Sequence, residues 1–459
     1  PQMPLERLRA IVTDSGAALL LHDTTHHEAY ASLPCEINAL CDLACRFEEI
    51  HTTPNLKDDF DLKSITYIIY TSGSTGTPKG VCVSRGALNN FLDSMSQYFL
   101  KAKDEMLLAT TTLSFDIAAL ELYLPIWQKK TLFLASQIEH KDPLAIQKIL
   151  DKYPITLLQG TPSFWNMLHY AGWSDKKTLV GLCGGERLTP ETVRHILPKV
   201  QALWNMYGPT EATIWCSLQQ IKPNMPITVG RPIQGMEMRV LDKAMQPVPQ
   251  GQKGELYISG IGLAEGYMNR DALTKACFIE YESALDQRVY KTGDIAYMTS
   301  DAQFVVLGRL DNQIKLHGYR IELEDVEAHI EGYEGVRACG VKVYQEQLVA
   351  YICQSKQHQY LESALSRQLA RELPEFMIPK RFIYLDQLPL NSSGKLNRKA
   401  LPVPTQETLQ TAETLNSTEA LLIRIWGEAL GISRLSIHDN FFELGGHSLL
   451  AARIVAQVQ

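Results

Sequence analysis

The 459-residue chain carries 44 basic and 51 acidic side chains, a net charge of -7 and a pI near 6.0, which excludes a general electrostatic attraction to nucleic acid or to an anionic membrane. Its 45% hydrophobic and 21% charged residues are an ordinary globular composition with material for about two or three domains, and no apolar run approaches a bilayer span. The start, PQMPLERLRA, lacks the apolar core of a signal peptide, so no membrane and no nucleic-acid partner is expected and the expected setting is cytoplasmic.

Taken in chain order, PLERLRAIVTDSG reads as a helix and AALLLH as a strand, followed by a polar stretch to about Lys63. ITYIIYT is a strand, ALNNFLDSMSQYFL a helix, and EMLLATT, TLFLAS and PITLLQG are further strands. This alternation predicts a large α/β lobe of buried, mostly parallel strands flanked by helices. From GRLDNQIKLHGYRI onward the rhythm changes to short strands (VRACGVKVY, QLVAYICQ, RFIYLDQL) and the helix YLESALSRQLARELP, whose Leu361, Leu365, Leu369 and Leu373 form one stripe. That predicts a small α+β lobe ending near Pro402. VPTQETLQTAETLNS reads as a polar linker, and TEALLIRIWGEALG and SLLAARIVAQVQ as helices of a last, all-α region near the lower size limit for a domain without staples. The expected division is 1–310 large lobe, 311–402 small lobe, 403–416 linker and 417–459 helical domain. The chain opens inside a helix-strand unit and stops in mid-helix, so it reads as a piece of a longer protein that lacks part of its first and last domains. Nine scattered cysteines, with Cys41 and Cys45 the closest pair and no C-x-x-C, read as reduced thiols. The tract HDTTHH at 22–27 has metal-binding residue types, yet a polar surface loop is the better reading.

The stretch YIIYTSGSTGTPKGVCVS, 67–84, sets glycines and six hydroxyl side chains between two apolar runs. Such loops let backbone N-H groups approach phosphate oxygens. It is not a Walker loop, because Pro78 precedes Lys79 and Gly80 follows it, and strand composition resumes at Val81. A flexible solvent loop is the plainer reading on composition alone. More segments mix glycine with charged or hydroxyl residues: LSFDIAALE (113–121), NMYGPTEATIW (205–215), GELYISGIGLAEGY (254–267), YKTGD (290–294), GRLDNQIKLHGYRIELEDVE (308–327) and NSSGKLNR (391–398).

In this order and at these spacings the segments resemble the adenylate-forming ligases, most closely the adenylation domains of nonribosomal peptide synthetases, over essentially the whole chain. DNFFELGGHSLLAARI (439–454) resembles the peptidyl carrier protein that follows such a domain. The resemblance implies ATP and Mg²⁺, with Thr71, Ser72, Gly73, Thr75 and Lys79 closing over the β- and γ-phosphates. Asn205 and Tyr207 would hold and stack on the adenine, Gly185 would belong to the cofactor-binding set, Thr210 would touch the α-phosphate, and Glu211 would ligate the metal. Asp294 would accept the ribose hydroxyls, with Arg309 beside it. These types suit the task physically, since joining a carboxylate to ATP brings two anions together and needs positive charge and aimed donors. Outside this constellation Tyr207 would read as a core aromatic, Asp294 as a turn residue and Lys395 as a solvated lysine.

By the same resemblance Lys395 is the catalytic lysine, and Asp311 the hinge about which the small lobe rotates once adenylate has formed, withdrawing Lys395 and bringing Gly318 and Tyr319 toward the site. Ser448 would carry 4'-phosphopantetheine, whose thiolate attacks the acyl-adenylate and releases AMP; as a plain serine it would be an N-cap. His317, Glu324 and Glu265 depart from the family's usual Arg, Gly and Arg, which bears on carrier docking. Asp116 would anchor the substrate α-ammonium, its plainer reading being an N-cap. Ile117, Leu120, Gln159, Leu182, Gly184, Met206, Ile214 and Trp215 would line the side-chain pocket. Their order, with Lys395, is similar to the family's pattern for glycine, and alanine stands second because excluding one methyl is worth only about 1–3 kcal/mol. Implied partners are a phosphopantetheinyl transferase and neighbouring synthetase domains such as condensation and thioesterase domains. Competing readings are an acyl- or aryl-CoA ligase, a catalytically inactive docking module, and a P-loop kinase, the last opposed by Pro78 and Gly80.

Overall fold

A computed structural model of the chain describes residues 3–22, 30–40, 61–73, 77–136, 138–281, 288–316, 318–354, 362–391, 396–404 and 417–430, with 435–437, 441, 450, 451, 454 and 458. Thr75, Lys395, Ser448, Leu361, His317, His26, His27, Cys41 and Cys45 lie outside the described residues.

The framework is a seven-stranded sheet built by strand-helix alternation. Strands β5 (Met106–Ala109), β6 (Thr131–Leu134), β7 (Leu157–Gly160), β8 (Lys176–Gly184) and β9 (Val200–Tyr207) run parallel, and β10 (Ser217–Ile221) and β11 (Arg231–Pro232) close one end antiparallel. The spatial order is β11-β10-β9-β8-β7-β5-β6. Three of the helices between these strands start on capping residues followed by proline: Asp142-Pro143, Thr161-Pro162 and Thr189-Pro190. In each, the side-chain oxygen accepts an orphan N-H of the first turn and proline's fixed φ suits the first helical position. Neighbouring residues alternate faces, so Leu107, Leu157 and Met206 join one core with Phe91, Leu120 and Trp215, while Leu108, Leu158 and Leu203 join another with Ile149 and Trp165. Each fully buried side chain of this size contributes roughly 1.5–3 kcal/mol.

The parallel pairing is largely confined to that sheet. β12 (Met236–Leu241), β13 (Gly254–Gly260), β15 (Phe278–Glu280), β16 (Arg288–Met298) and β17 (Phe304–Arg309) form an antiparallel sheet, and β3 (Ile65–Thr71), β4 (Lys79–Ser84) and β14 (Gly266–Tyr267) form another. Close antiparallel neighbours need no crossover helix. A separate two-stranded parallel sheet pairs β1 (Leu19–His22) with β2 (Glu36–Ala39). The glycine-rich stretch thus joins two strands, as its composition predicts.

The small lobe is an α+β unit. β20 (Val336–Tyr344), β21 (Gln347–Gln354) and β22 (Arg381–Tyr384) carry the helices Leu323–Glu331 and Glu362–Glu372, and Leu365, Leu369 and Leu373 of the predicted stripe are buried in its core. Ahead of it the hairpin β18 (Gln313–Leu316) and β19 (Tyr319–Glu322) projects toward the large lobe. In the last region the helix Ser417–Leu430 buries Ile425 and Leu430 against Phe441 and Ile454. The described cysteines, among them Cys82, Cys183 and Cys277, are free. Among the described residues no helix is long and apolar enough to cross a membrane.

Candidate active site

Open parallel sheets place ligands beyond the carboxyl ends of their strands. Gln159 at the end of β7, Leu182 and Gly184 at the end of β8, and Asn205, Met206 and Tyr207 at the end of β9 are the residues singled out from the sequence. A cavity of about 1930 Å³ opens there, lined by Gly185, Asn205, Tyr207, Asp294 and Arg309 and reaching Arg398 of the small lobe.

At one end of the cavity Tyr207 is both a buried aromatic and a polar partner, its hydroxyl donating to Asp294 Oδ2 at 2.5 Å. Asp294 and Arg309 face each other in register across β16 and β17, and Arg309 Nη1 donates to Asp294 Oδ1 at 2.8 Å. The same guanidinium holds Asp311 through Nε at 2.6 Å and Nη2 at 2.7 Å. Partial burial works to raise the Asp311 carboxyl, but Arg309 outweighs it and holds it below its ordinary value. Asp294 is therefore fixed by groups from β9 and β17, and is no solvated turn residue. Asn205 is also committed, donating to Thr228 O at 2.6 Å.

At a second corner, beside the glycine-rich loop, Glu211 is fully buried. Its Oε1 accepts from Tyr267 OH at 2.7 Å and lies 3.8 Å from Lys79 Nζ, and its Oε2 accepts from Arg320 Nη1 at 2.7 Å. Burial alone would raise this carboxyl, but Arg320 and Lys79 outweigh it and hold it at about 2. Ser72 Oγ donates to Arg320 O at 2.9 Å, and the Thr71 hydroxyl is buried with no hydrogen-bond partner among the described residues. Among the described residues no cluster of three or more His, Cys, Asp and Glu could hold a metal. A single anionic carboxylate beside a phosphate loop nevertheless fits Mg²⁺, which is held by one or two carboxylates plus substrate phosphates.

At the third corner Asp116 opens the helix Ile117–Trp127 but makes no capping hydrogen bond. Burial raises its carboxyl above the ordinary range, while a hydrogen bond from the Thr210 side chain works the other way. The side-chain pocket is filled by its own walls, with Leu120, Gln159, Leu182, Met206, Ile214 and Trp215 all buried. Trp215 Nε1 donates to Gln159 Oε1 at 2.9 Å, and Gln159 Nε2 donates to Ile117 O and Glu121 Oε1, both at 2.9 Å. Glu121 completes the chain by accepting from the Thr110 and Thr111 amides at 2.9 Å and from Thr111 Oγ1 at 2.6 Å. A Cβ added at Gly184 would meet Trp215 Cη2 at 2.6 Å and Met206 O at 2.7 Å, so only glycine fits. Thr213 and Ile214, both β-branched, sit at φ of 54° and 71° to aim Trp215 inward. Such conformations cost roughly 1–3 kcal/mol each and cluster at functional sites.

The small-lobe hairpin reaches all three corners. Lys315 Nζ stands 5.9 Å over the Tyr207 ring, and Gly318 N donates to Glu186, which also accepts from Ser163 Oγ at 2.7 Å. Tyr319 packs edge-on against Phe115 with ring centroids 4.8 Å apart. Gly318 has φ +84°, and a Cβ there would lie 2.9 Å from Thr161 Cγ2. Glu121, Glu186, Tyr267, Lys315 and Arg320 are thus site residues that the sequence reading did not assign. Glu121 left a signal as a carboxylate inside an otherwise apolar helix, and Tyr267, Lys315 and Arg320 lie in the quoted segments 254–267 and 308–327, where no role was assigned to them.

Residues 1–268 match the AMP-binding enzyme family. The chain belongs to it. Residues 322–395 match the AMP-binding enzyme C-terminal domain and 420–459 the phosphopantetheine attachment site. A dimodular nonribosomal peptide synthase of Bacillus subtilis is 36% identical over the whole chain, which spans 20% of that protein's length. A solved four-domain nonribosomal peptide synthetase bound to AMP and glycine is 34% identical, with a TM-score of 0.61 over 100% of this chain and 34% of that one. A synthetase protein containing adenylation and carrier domains, bound to a vinylsulfonamide inhibitor, is 26% identical with a TM-score of 0.79, over 99% of this chain and 77% of that one. The AMP-binding chain is accordingly an adenylation unit followed by a carrier unit of the nonribosomal synthetase kind. With the family come ATP as cosubstrate, a phosphopantetheine arm on the carrier, and the class of ATP-dependent, adenylate-forming ligases.

Proposed function

We propose that this chain activates glycine with ATP to glycyl-AMP and pyrophosphate, then transfers it to a phosphopantetheine thiol on Ser448. The observation that carries the substrate is the side-chain pocket occupied by Trp215, Gln159 and Leu120, which leaves no volume for a substrate side chain. Asp116 pairs the α-ammonium, Asp294 takes the ribose hydroxyls beside Tyr207 and Arg309, and Thr71, Ser72 and Lys79 take the phosphates. Glu211 holds Mg²⁺, which when bound neutralises phosphate charge. Lys395 is the catalytic lysine, Asp311 the hinge between lobes spanning 1–310 and 311–402, and 403–416 the linker to the carrier. The partners are a phosphopantetheinyl transferase and adjoining synthetase domains, in the cytoplasm. A CoA ligase is disfavoured by Asp116 and by the phosphopantetheine attachment match at 420–459.

ATP-pyrophosphate exchange with each amino acid in turn is expected to give its highest kcat/KM for glycine, with alanine next. Exchange on a bulky amino acid and none on glycine would sink the assignment. Within the same experiment Glu121→Gln tests what holds the pocket shut. With its oxygen on the Thr110 and Thr111 amides, the new NH₂ faces the Gln159 amide donor, so Gln159 must turn over and abandon Trp215 Nε1. A buried donor left unpaired costs about 1–3 kcal/mol, so the alanine-to-glycine ratio should rise about tenfold. An unchanged ratio would mean that Trp215 is held by packing alone.

A further inference from the structure

We infer that Tyr267 is a positioning residue that holds Glu211 and Lys79 apart, leaving the carboxylate able to take a metal and the ammonium able to take a phosphate. The inference rests on the reading of Glu211 as the metal ligand.

The placement follows from strand pairing. Tyr267 of β14 stands opposite Val81 of β4, and Lys79 lies two residues before Val81 on the same strand. Residues two apart share a face of a strand, so Lys79 is the diagonal neighbour of Tyr267, a spacing that an aromatic and a long side chain can bridge. Its ammonium accordingly stands 4.8 Å over the Tyr267 ring, which meets Phe278 edge-on with centroids 5.7 Å apart. The backbone is pinned as well. Tyr267 N donates to Thr274 Oγ1 at 2.9 Å, and Gly266 has φ +144°, where a Cβ would lie 2.4 Å from Thr274 Cγ2.

From this fixed ring the hydroxyl donates to Glu211 Oε1 at 2.7 Å, while the Lys79 ammonium lies 3.8 Å from the same oxygen. That gap needs a cause. The two side chains are 11% and 0% exposed, and an ammonium and a carboxylate so poorly solvated attract strongly and close to about 2.7–2.9 Å when nothing intervenes. Here one tyrosine intervenes twice: its hydroxyl occupies the oxygen, and its ring face draws the cation. Burial and the Glu211 charge both push the Tyr267 hydroxyl far above its ordinary pKa, so it stays a donor. In Tyr267→Phe the volume is kept but nothing competes for Oε1, and the two charges should close into a direct pair. Each would then satisfy the other, and both would serve the ligand less well.

The test is a titration of the whole chain with magnesium at fixed inorganic pyrophosphate, read as binding heat, with ATP-pyrophosphate exchange alongside. Tyr267→Phe should raise the magnesium concentration at half-saturation about tenfold, on the scale expected when a ligating carboxylate loses its hydrogen-bond partner, and leave the KM for glycine within about twofold. Adding Lys79→Gln to that variant removes the cation that closes on Glu211, so half-saturation should return toward the wild-type value while pyrophosphate binds more weakly. Should the thermal midpoint show that Tyr267→Phe does not fold, Lys79→Arg probes the same spacing from the other side. Its longer fork reaches past the ring to Oε1 and should also raise half-saturation about tenfold. An unchanged magnesium requirement in either variant, with Glu211→Gln raising it as expected, overturns the proposal. So does a Lys79→Gln that restores nothing, since Tyr267 would then act on Glu211 alone. Indifference of magnesium pyrophosphate binding to Glu211→Gln overturns instead the underlying assignment of the metal ligand.

Discussion

Asp294→Ala is expected to lower kcat/KM for ATP by about 10²- to 10³-fold while the protein stays folded. The carboxylate is 8% exposed and accepts from Tyr207 OH at 2.5 Å and from Arg309 Nη1 at 2.8 Å. Truncating one partner of a desolvated, hydrogen-bonded charge pair costs about 2–5 kcal/mol, and each 1.4 kcal/mol is tenfold. With Asp294 proposed to take the ribose hydroxyls, the loss should fall on the nucleotide, since its partners are Tyr207 and Arg309 and not the Gln159–Trp215 wall. Folding should survive, because Arg309 keeps Asp311 at 2.6 Å and Thr292 O at 3.0 Å. ATP-pyrophosphate exchange at varied ATP, with a thermal unfolding midpoint as control, checks it. A KM for ATP within twofold of wild type would remove Asp294 from the ribose site.

Asp116→Ala is expected to lower kcat/KM for glycine by a similar factor and to leave the KM for ATP nearly unchanged. A substrate ammonium drawn into this enclosed corner without a counter-charge is an uncompensated buried ion, worth about 3–5 kcal/mol. The truncation should also erase discrimination. Glycolate, with a hydroxyl in place of the ammonium, leaves the wild-type carboxylate unpaired and is rejected; in the variant the two acids should exchange within about tenfold of each other. Undiminished glycine-dependent exchange would show that another group binds the ammonium. Asp116 makes no helix-capping bond, so its loss should cost little of the stability that a cap provides.

What the sequence made legible was local. The Leu365, Leu369 and Leu373 stripe and the strand after Pro78 are written within a few residues of where they act. Asp294, Tyr207, Glu211 and Asp116 were singled out through ordered segments; Tyr207 and Asp294 line the cavity, Asp116 lies within electrostatic reach of Glu211, and Lys315 of both Asp294 and Asp116. What escaped were partners far apart along the chain. Arg320 and Glu211 are 109 residues apart, and Gly318 and Glu186 are 132 apart. Lys315 alternates with Ile314 and Leu316 on a short strand, so its face reads as solvated. It is exposed, but to the cavity, with its ammonium over the Tyr207 ring. The mostly parallel expectation holds for the main sheet because its crossovers are helical; the later strands pair antiparallel, and strand composition alone does not carry that direction.

The interlocked pocket wall restricts the paths by which such an enzyme could acquire a new substrate. Trp215 lies over Gly184 and is tied to Gln159, so a lineage could not begin by decorating position 184. It would have to shrink the tryptophan first, and the glutamine Oε1 would then lack its donor until that residue changed too. Even afterwards the Met206 carbonyl, 2.7 Å from any Cβ at 184, would keep that site closed. Recombination that exchanges the whole wall at once would avoid those unfit intermediates.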